Sequence, residues 1–265
     1  MKRKEQDQAL QVALRAARLG GAVTLKYFKK LKNVRFKENA GLVSEADRES
    51  EATIMKAVLK AYPTHKFLGE ETGLSAPKDD VAPMWIVDPL DGTTNYVHGF
   101  PFFCVSIGLE VEGKIEVAVI HAPLLKYTFT ARRGRGAYLN GTKIRVSGTK
   151  SLQDGLLATG FSYKKGELLD AELEDFKHLA ERSLGIRRAG SAALDLCMVA
   201  WGVFDGFWER ELAPWDTAAG SLLVAEAGGR VTSFQGETFH CRMNSILAGN
   251  PYIYPVIQKV LCDPV

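Results

Sequence analysis

A chain of 265 residues, 46% hydrophobic and 25% charged, has the make-up of a folded globular protein. That length can bury a large core unaided, which excludes a disordered, collagenous or disulfide-stapled chain. The 34 Lys and Arg against 31 Asp and Glu leave +3, a balance that neither demands a nucleic-acid partner nor excludes a polyanionic small substrate.

The first predicted element is an amphipathic helix: Leu10, Val12, Leu14, Ala17, Val23, Leu25 and Phe28 recur at helical spacing, with Gly20-Gly21 as a weak spot. A strand or loop follows over 34–42. A second helix opens at Ser44, which stands at capping-box spacing from Asp47, and stops at Pro63. Residues 66–68 read as a short strand running into Gly69-Glu70-Glu71. The apolar run 84–87 is typical of a buried strand and ends at Asp88-Pro89. Strands at 103–111, 115–121, 127–131, 136–139 and 143–146, separated by Gly-rich and Asn140-Gly141 turns, suit an antiparallel sheet. In the second half, strands near 156–159, 186–188 and 204–208 alternate with helical stretches at 169–184, 191–201 and 216–227, an α/β pattern. Two parts are expected in one compact unit, an α+β part over 1–148 and an α/β part over 149–265.

Cys104, Cys197, Cys241 and Cys262 form no Cys-x-x-Cys pair and lack zinc-ligand spacing to a His, so they read as reduced, mostly buried thiols. The N-terminal segment has no apolar run after its basic residues, and no stretch approaches the ~20 apolar residues of a membrane span. A soluble, cytoplasmic protein without a membrane partner is expected.

The most informative segment is WIVDPLDGTTN, 85–95. An apolar strand delivers Asp88, and Asp91 follows across a Pro-Leu turn. Two carboxylates so close repel each other unless a cation sits between them. Asp88, the Leu90 carbonyl and Asp91 offer hard oxygens suited to Mg²⁺. Gly92-Thr93-Thr94 then exposes amides and hydroxyls at the start of a short helix, a cradle for phosphate. A metal pair running into an anion cradle is what phosphoester hydrolysis needs. Taken singly, Glu70 reads equally as part of a solvated acidic loop, Asp47 as a helix-dipole partner and Asp216 as a helix N-cap.

The segments GEE, WIVDPLDGTTNYVHGFPFFCVSIGL and PWDTAAGSLLVAEAGG, in this order over nearly the full length, resemble the inositol monophosphatase family of Mg²⁺-dependent, lithium-sensitive phosphatases. GLVSEAD (41–47), FLGEETG (67–73), RRGRGAYLNG (132–141) and RRAGSAALDLC (187–197) also look like the family's. The resemblance implies an α/β fold in alternating α-β-α-β-α layers and a homodimer. It implies that Glu70, Asp88, the Leu90 carbonyl and Asp91 hold a first Mg²⁺ and that Asp88, Asp91 and Asp216 hold a second. Glu70 would also help to orient a third ion and the attacking water. Asp47 and Thr93 would activate that water, and Gly92, Thr93 and Thr94 would cradle the phosphate. Gly190, Ser191, Ala192 and Glu209 would contact the alcohol part of the substrate, a small phosphorylated polyol. The family usually has Asp where this chain has Gly41, and often Thr at Ser191.

The alternatives keep the chemistry and change the substrate, to fructose 1,6-bisphosphate, a 3′-phosphonucleotide or histidinol phosphate, or give the chain a regulatory role with RNA polymerase or RNA. The scattered histidines and the four tryptophans read as structural. Arg132-Arg133-Gly134-Arg135 reads as an exposed hairpin turn before an RNA-binding patch.

Overall fold

The computed structural model describes residues 1–31, 34–37, 41–75, 81–163 and 166–262. Helix α1 (Arg3–Tyr27) is followed by strands β1 (Val34–Lys37) and β2 (Gly41–Ser44) and helix α2 (Glu45–Ala61). Of the stretch 34–42, residues 38–40 lie outside the described set. Then come β3 (Lys66–Gly69), β4 (Gly73–Ser75), β5 (Met84–Asp91), the short helix α3 (Thr93–Val97), β6 (Cys104–Val111), β7 (Lys114–Ala122), β8 (Tyr127–Arg132), β9 (Ala137–Leu139) and β10 (Thr142–Ile144). The second half runs through β11 (Leu156–Thr159), α4 (Glu167–Ala180), β12 (Gly185–Arg187), α5 (Ala192–Ala200), β13 (Gly206–Arg210), α6 (Pro214–Glu226), β14 (Arg230–Thr232), β15 (Ser245–Gly249) and α7 (Tyr254–Cys262).

Two large sheets result. An eight-stranded sheet has the order β10-β9-β8-β7-β6-β5-β3-β4 and is antiparallel except where β3 meets β5. A five-stranded sheet has the order β12-β11-β13-β15-β14, with β12, β11 and β13 parallel and the rest antiparallel.

The period-two alternation of each strand decides what covers each face. In β5, Trp85 and Val87 pack with Ala13, Ala17 and Ile54 of α1 and α2. Their neighbour Ile86 points the other way, into a core with α5 and α6. In the smaller sheet, Ala158, Phe207 and Ala248 face α5 and α6. Leu157, Trp208 and Leu247 face away, toward Leu179 of α4 and Ile257 and Leu261 of α7. The layers therefore run α-β-α-β-α, the layered α/β class expected from the sequence. α5 and α6, both from the second half, form the shared middle layer.

Gly20 is a packing site: a Cβ there would lie 2.7 Å from Ile54 Cδ1 and 2.9 Å from Ser50 Oγ, so its absence lets α1 lie close against α2. Strands β4, β14 and β15 and helix α7 escaped the sequence reading. β4 and β14 have three residues with one large apolar side chain each, and β15 is an apolar run without alternation. Cys104, Cys197 and Cys241 are buried and Cys262 is exposed, all free. Trp85 and Trp208 are core residues, whereas Trp201 and Trp215 are only half-buried against it. The basic turn is held in place: Arg132 pairs with Asp7, Arg133 lies 3.4 Å from Glu116, and the amides of Gly134, Arg135 and Gly136 all donate to Glu226. Among the described residues, no helix is long and apolar enough to cross a membrane.

Candidate active site

Strand β5 changes register against β6 between Asp88, opposite Ser106, and Asp91, opposite Cys104. Pro89 sits in the interruption, where it lacks an N–H for the ladder. The Leu90 amide turns back to donate to Asp88 Oδ1 at 2.8 Å. Gly92 then takes φ +93°, and a Cβ there would meet the Phe102 carbonyl at 2.9 Å, so glycine is the residue that fits. It caps α3, whose first residues Thr93 and Thr94 line a cavity of about 370 Å³ together with Asp88, Leu90 and Asp91.

Helix α2 brings Asp47 to the same place from below. Asp47 Oδ2 accepts from the Ser44 amide at 2.8 Å and the Ser44 hydroxyl at 2.6 Å, closing the capping box read from the sequence. Its other oxygen accepts from Thr93 Oγ1 at 3.0 Å, and the same hydroxyl stands 3.0 Å from the Leu90 carbonyl. Asp47 is fully buried. Burial pushes its carboxyl above the usual range, and the hydrogen bonds from Ser44 and Thr93 pull the other way.

Helix α6 supplies the third acid. Asp216 lies in its first turn and accepts from the Ala213 amide at 2.7 Å. Ligand oxygens of Asp88, Asp91 and Asp216 all lie within 4.8 Å of one another. Asp88 and Asp91 are buried. Burial, then the charges of Glu70, Asp91 and Asp216, holds the Asp88 carboxyl well above its ordinary range. Asp216 is raised by burial and then by Asp91 and Glu70. Asp91 is pushed up to about 6 by burial, restrained by hydrogen bonds from Ser191 and Ala193. Buried like charges in this arrangement need a cation among them, and clustered carboxylates are hard oxygen donors for a divalent ion. Glu70 lines the cavity beside the three, at the end of β3.

Helix α5 completes the wall. Gly190 at φ +85° leads into Ser191, the N-cap of α5. Ser191 Oγ donates to Asp91 Oδ2 at 2.5 Å and the Ala193 amide donates to the same oxygen at 2.9 Å. Gly190, Ser191 and Ala192 line the cavity. Asn95 ties this turn to the Gly92–Thr94 loop, its Nδ2 donating at 2.8 Å to both the Phe102 and Ala189 carbonyls. Glu209, on β13, lines the far side. Its carboxyl is raised by burial and by Asp216, against the pull of Arg188.

All the sequence-picked residues except Asp47 line this one cavity, and Asp47 touches it through Thr93. Several contributors escaped the sequence reading. Glu51 of α2 is buried and accepts from the Glu71 and Thr72 amides at 2.9 and 2.8 Å, clamping the turn that presents Glu70. Gly160 lies so close to the Glu209 carboxylate that a Cβ would collide with it. Tyr163 reaches across to 3.4 Å from Thr94 Oγ1. Asp195 and Arg188 also line the cavity. Arg188 and Asp195 lie inside the motif 187–197, whereas Glu51, Gly160 and Tyr163 carry no mark in the sequence.

The family model for the inositol monophosphatase family matches residues 5–263. The chain is 47% identical over 257 residues to a protein named Nus factor SuhB from Pseudomonas aeruginosa, covering 95% of each chain. It is 43% identical to an inositol-1-monophosphatase from Rhizobium meliloti, covering 97% of each. The solved structure of the extragenic suppressor protein SuhB from Bartonella henselae superposes with a TM-score of 0.92 at 41% identity, covering 97% of this chain and 100% of that one. The chain belongs to the inositol monophosphatase family and is a phosphoric monoester hydrolase.

Proposed function

We infer that the chain hydrolyses myo-inositol monophosphate to inositol and phosphate with Mg²⁺, two or three ions to a site. The observation that carries this reading is the close, buried grouping of Asp88, Asp91 and Asp216 beside the Gly92–Thr94 loop. Asp88, Asp91 and Asp216, with Glu70 and the Leu90 carbonyl, would hold the metal. Bound Mg²⁺ supplies positive charge for the phosphate and the leaving alkoxide and acidifies water. The protein's own residues do the rest. Gly92, Thr93 and Thr94 hold the phosphate at the start of α3. Asp47 accepts the proton of the attacking water through Thr93, whose hydroxyl is already hydrogen-bonded to it. Gly190, Ser191, Ala192 and Glu209 position the alcohol, so that attack runs in line with the leaving oxygen.

In this reading the parts 1–148 and 149–265 work as one cytoplasmic subunit of a homodimer. A phosphate-release panel tests the substrate: inositol 1-phosphate is cleaved with Mg²⁺ and inhibited by Li⁺, ahead of fructose 1,6-bisphosphate and 3′-phosphoadenosine 5′-phosphate. The relative named a Nus factor favours a second reading, association with RNA polymerase or RNA. A pull-down with RNA polymerase using native protein and Asp91→Asn separates the two. Binding that survives in the inactive variant establishes the second role, and no binding by either removes it.

A further inference from the structure

One buried polar group at this cavity has no task in the scheme above. Asp195 is 1% exposed, lines the cavity, and its Oδ1 has no hydrogen-bond partner. A buried acceptor left unpaired is costly, and native proteins rarely keep one without a use. The other such buried side-chain atoms among the described residues belong to His65, Trp85, Ser183 and Thr217, none of which lines the cavity. Asp195 is thus the orphan that lies at the site.

Its setting says what it would take. Asp195 stands one helical turn after Ser191 on α5, so the two share a face. The charged groups that act on it are Glu209, Asp91 and Arg188, and all three line the cavity. Two carboxyl groups, Asp195 and Glu209, therefore face one region on the alcohol side of the phosphate loop. A carboxyl without a donor partner, beside a second one, matches neighbouring hydroxyl groups that each bring a hydrogen to donate. An apolar leaving group would leave both acceptors unsatisfied.

We propose that Asp195 is a specificity-determining residue that, with Glu209, accepts hydrogen bonds from adjacent hydroxyls of a polyol leaving group. This rests on the phosphatase reading and deepens it: the alcohol is selected for hydroxyls that donate to Asp195 and Glu209. A site built to bind hydroxyls rejects the analogue without them because its own polar groups stay unpaired.

The test compares kcat/KM for myo-inositol 1-phosphate and cyclohexyl phosphate, the same ring without hydroxyls, at saturating Mg²⁺. The native enzyme prefers the polyol, and Asp195→Leu lowers that preference about tenfold, as loss of one charged hydrogen bond predicts. The ratio is independent of the folded fraction, so partial misfolding does not imitate the result. If Asp195→Leu fails to fold, Asp195→Asn carries the test and lowers the ratio about threefold or more. An unchanged ratio, or a native enzyme without preference for the polyol, overturns the proposal while leaving the phosphatase reading intact. A native enzyme that cleaves neither ester overturns that reading and this proposal with it.

Discussion

Asp91 and Ser191, a hundred residues apart, meet through a 2.5 Å hydrogen bond in the buried centre of the molecule. One stands at the end of a strand of the large sheet, the other at the N-cap of α5. The bond joins the two halves at the site and fixes one Asp91 oxygen, leaving the other for a ligand. Ser191→Ala removes the donor and should raise the Mg²⁺ concentration needed for half-maximal activity about 10–100-fold, the usual cost of losing a group that orients a metal ligand. A Mg²⁺ titration of phosphate release checks this, and Ser191→Thr should restore the native value.

Thr93 links Asp47, the proposed base, to the Leu90 carbonyl. Thr93→Val keeps the shape and removes the hydroxyl. It should lower kcat by about 10²–10⁴, the range for general acid–base groups, with KM moved far less. Thr93→Ser should recover most of the rate. Steady-state kinetics on the three proteins decide it, and a Thr93→Val enzyme with native kcat would remove Thr93 from the mechanism.

Glu51 does not line the cavity, yet it holds the Glu70 turn through two backbone amides. Glu51→Ala should cost about 1.5–3 kcal/mol, the range for hydrogen bonds to a charged group, and should lower activity as Glu70 loses its position. Urea unfolding together with the Mg²⁺ titration checks both effects. Glu51→Gln, which retains one acceptor, should fall between.

Asp88 makes the pH prediction. Its folded pKa lies above the ordinary 3.8, through burial and the charges of Glu70, Asp91 and Asp216. The metal-free folded state therefore holds its proton more tightly than the unfolded chain does. The stabilisation this gives is present below pH 3.8 and is lost as pH rises through the folded value. In EDTA at pH 8, Asp88→Asn should be more stable than native protein by about 0.5–2 kcal/mol, as removal of a strained functional charge commonly is. Added Mg²⁺ should reverse the order by stabilising only the native protein. Thermal melts at pH 5 and pH 8, with and without Mg²⁺, test the sign.

The acids were legible because all five sit at element ends, and four of them (Glu70, Asp88, Asp91 and Asp216) stand beside Gly, Pro or Trp, where a carboxylate has a local explanation that fails only in company. The buried strand was legible in the apolar run 84–87 and the α/β pattern in the strands and helical stretches of the second half, while the layering followed from the family resemblance. Asp195 and Glu51 were not, because each lies inside a helix where one acid is ordinary. Only the tertiary structure shows that Asp195 lines a cavity without a partner and that Glu51 meets a turn twenty residues away. Gly160 was equally silent, since its need arises from Glu209 on another strand.

Phosphate release from myo-inositol 1-phosphate, measured against Mg²⁺ for native protein and Asp91→Asn, tests the central claim most directly. The account predicts Mg²⁺-dependent turnover by the native chain and a loss of about 10³-fold or more in the variant, several kcal/mol of transition-state stabilisation. Near-native kcat in Asp91→Asn, or native turnover indifferent to Mg²⁺, would contradict it.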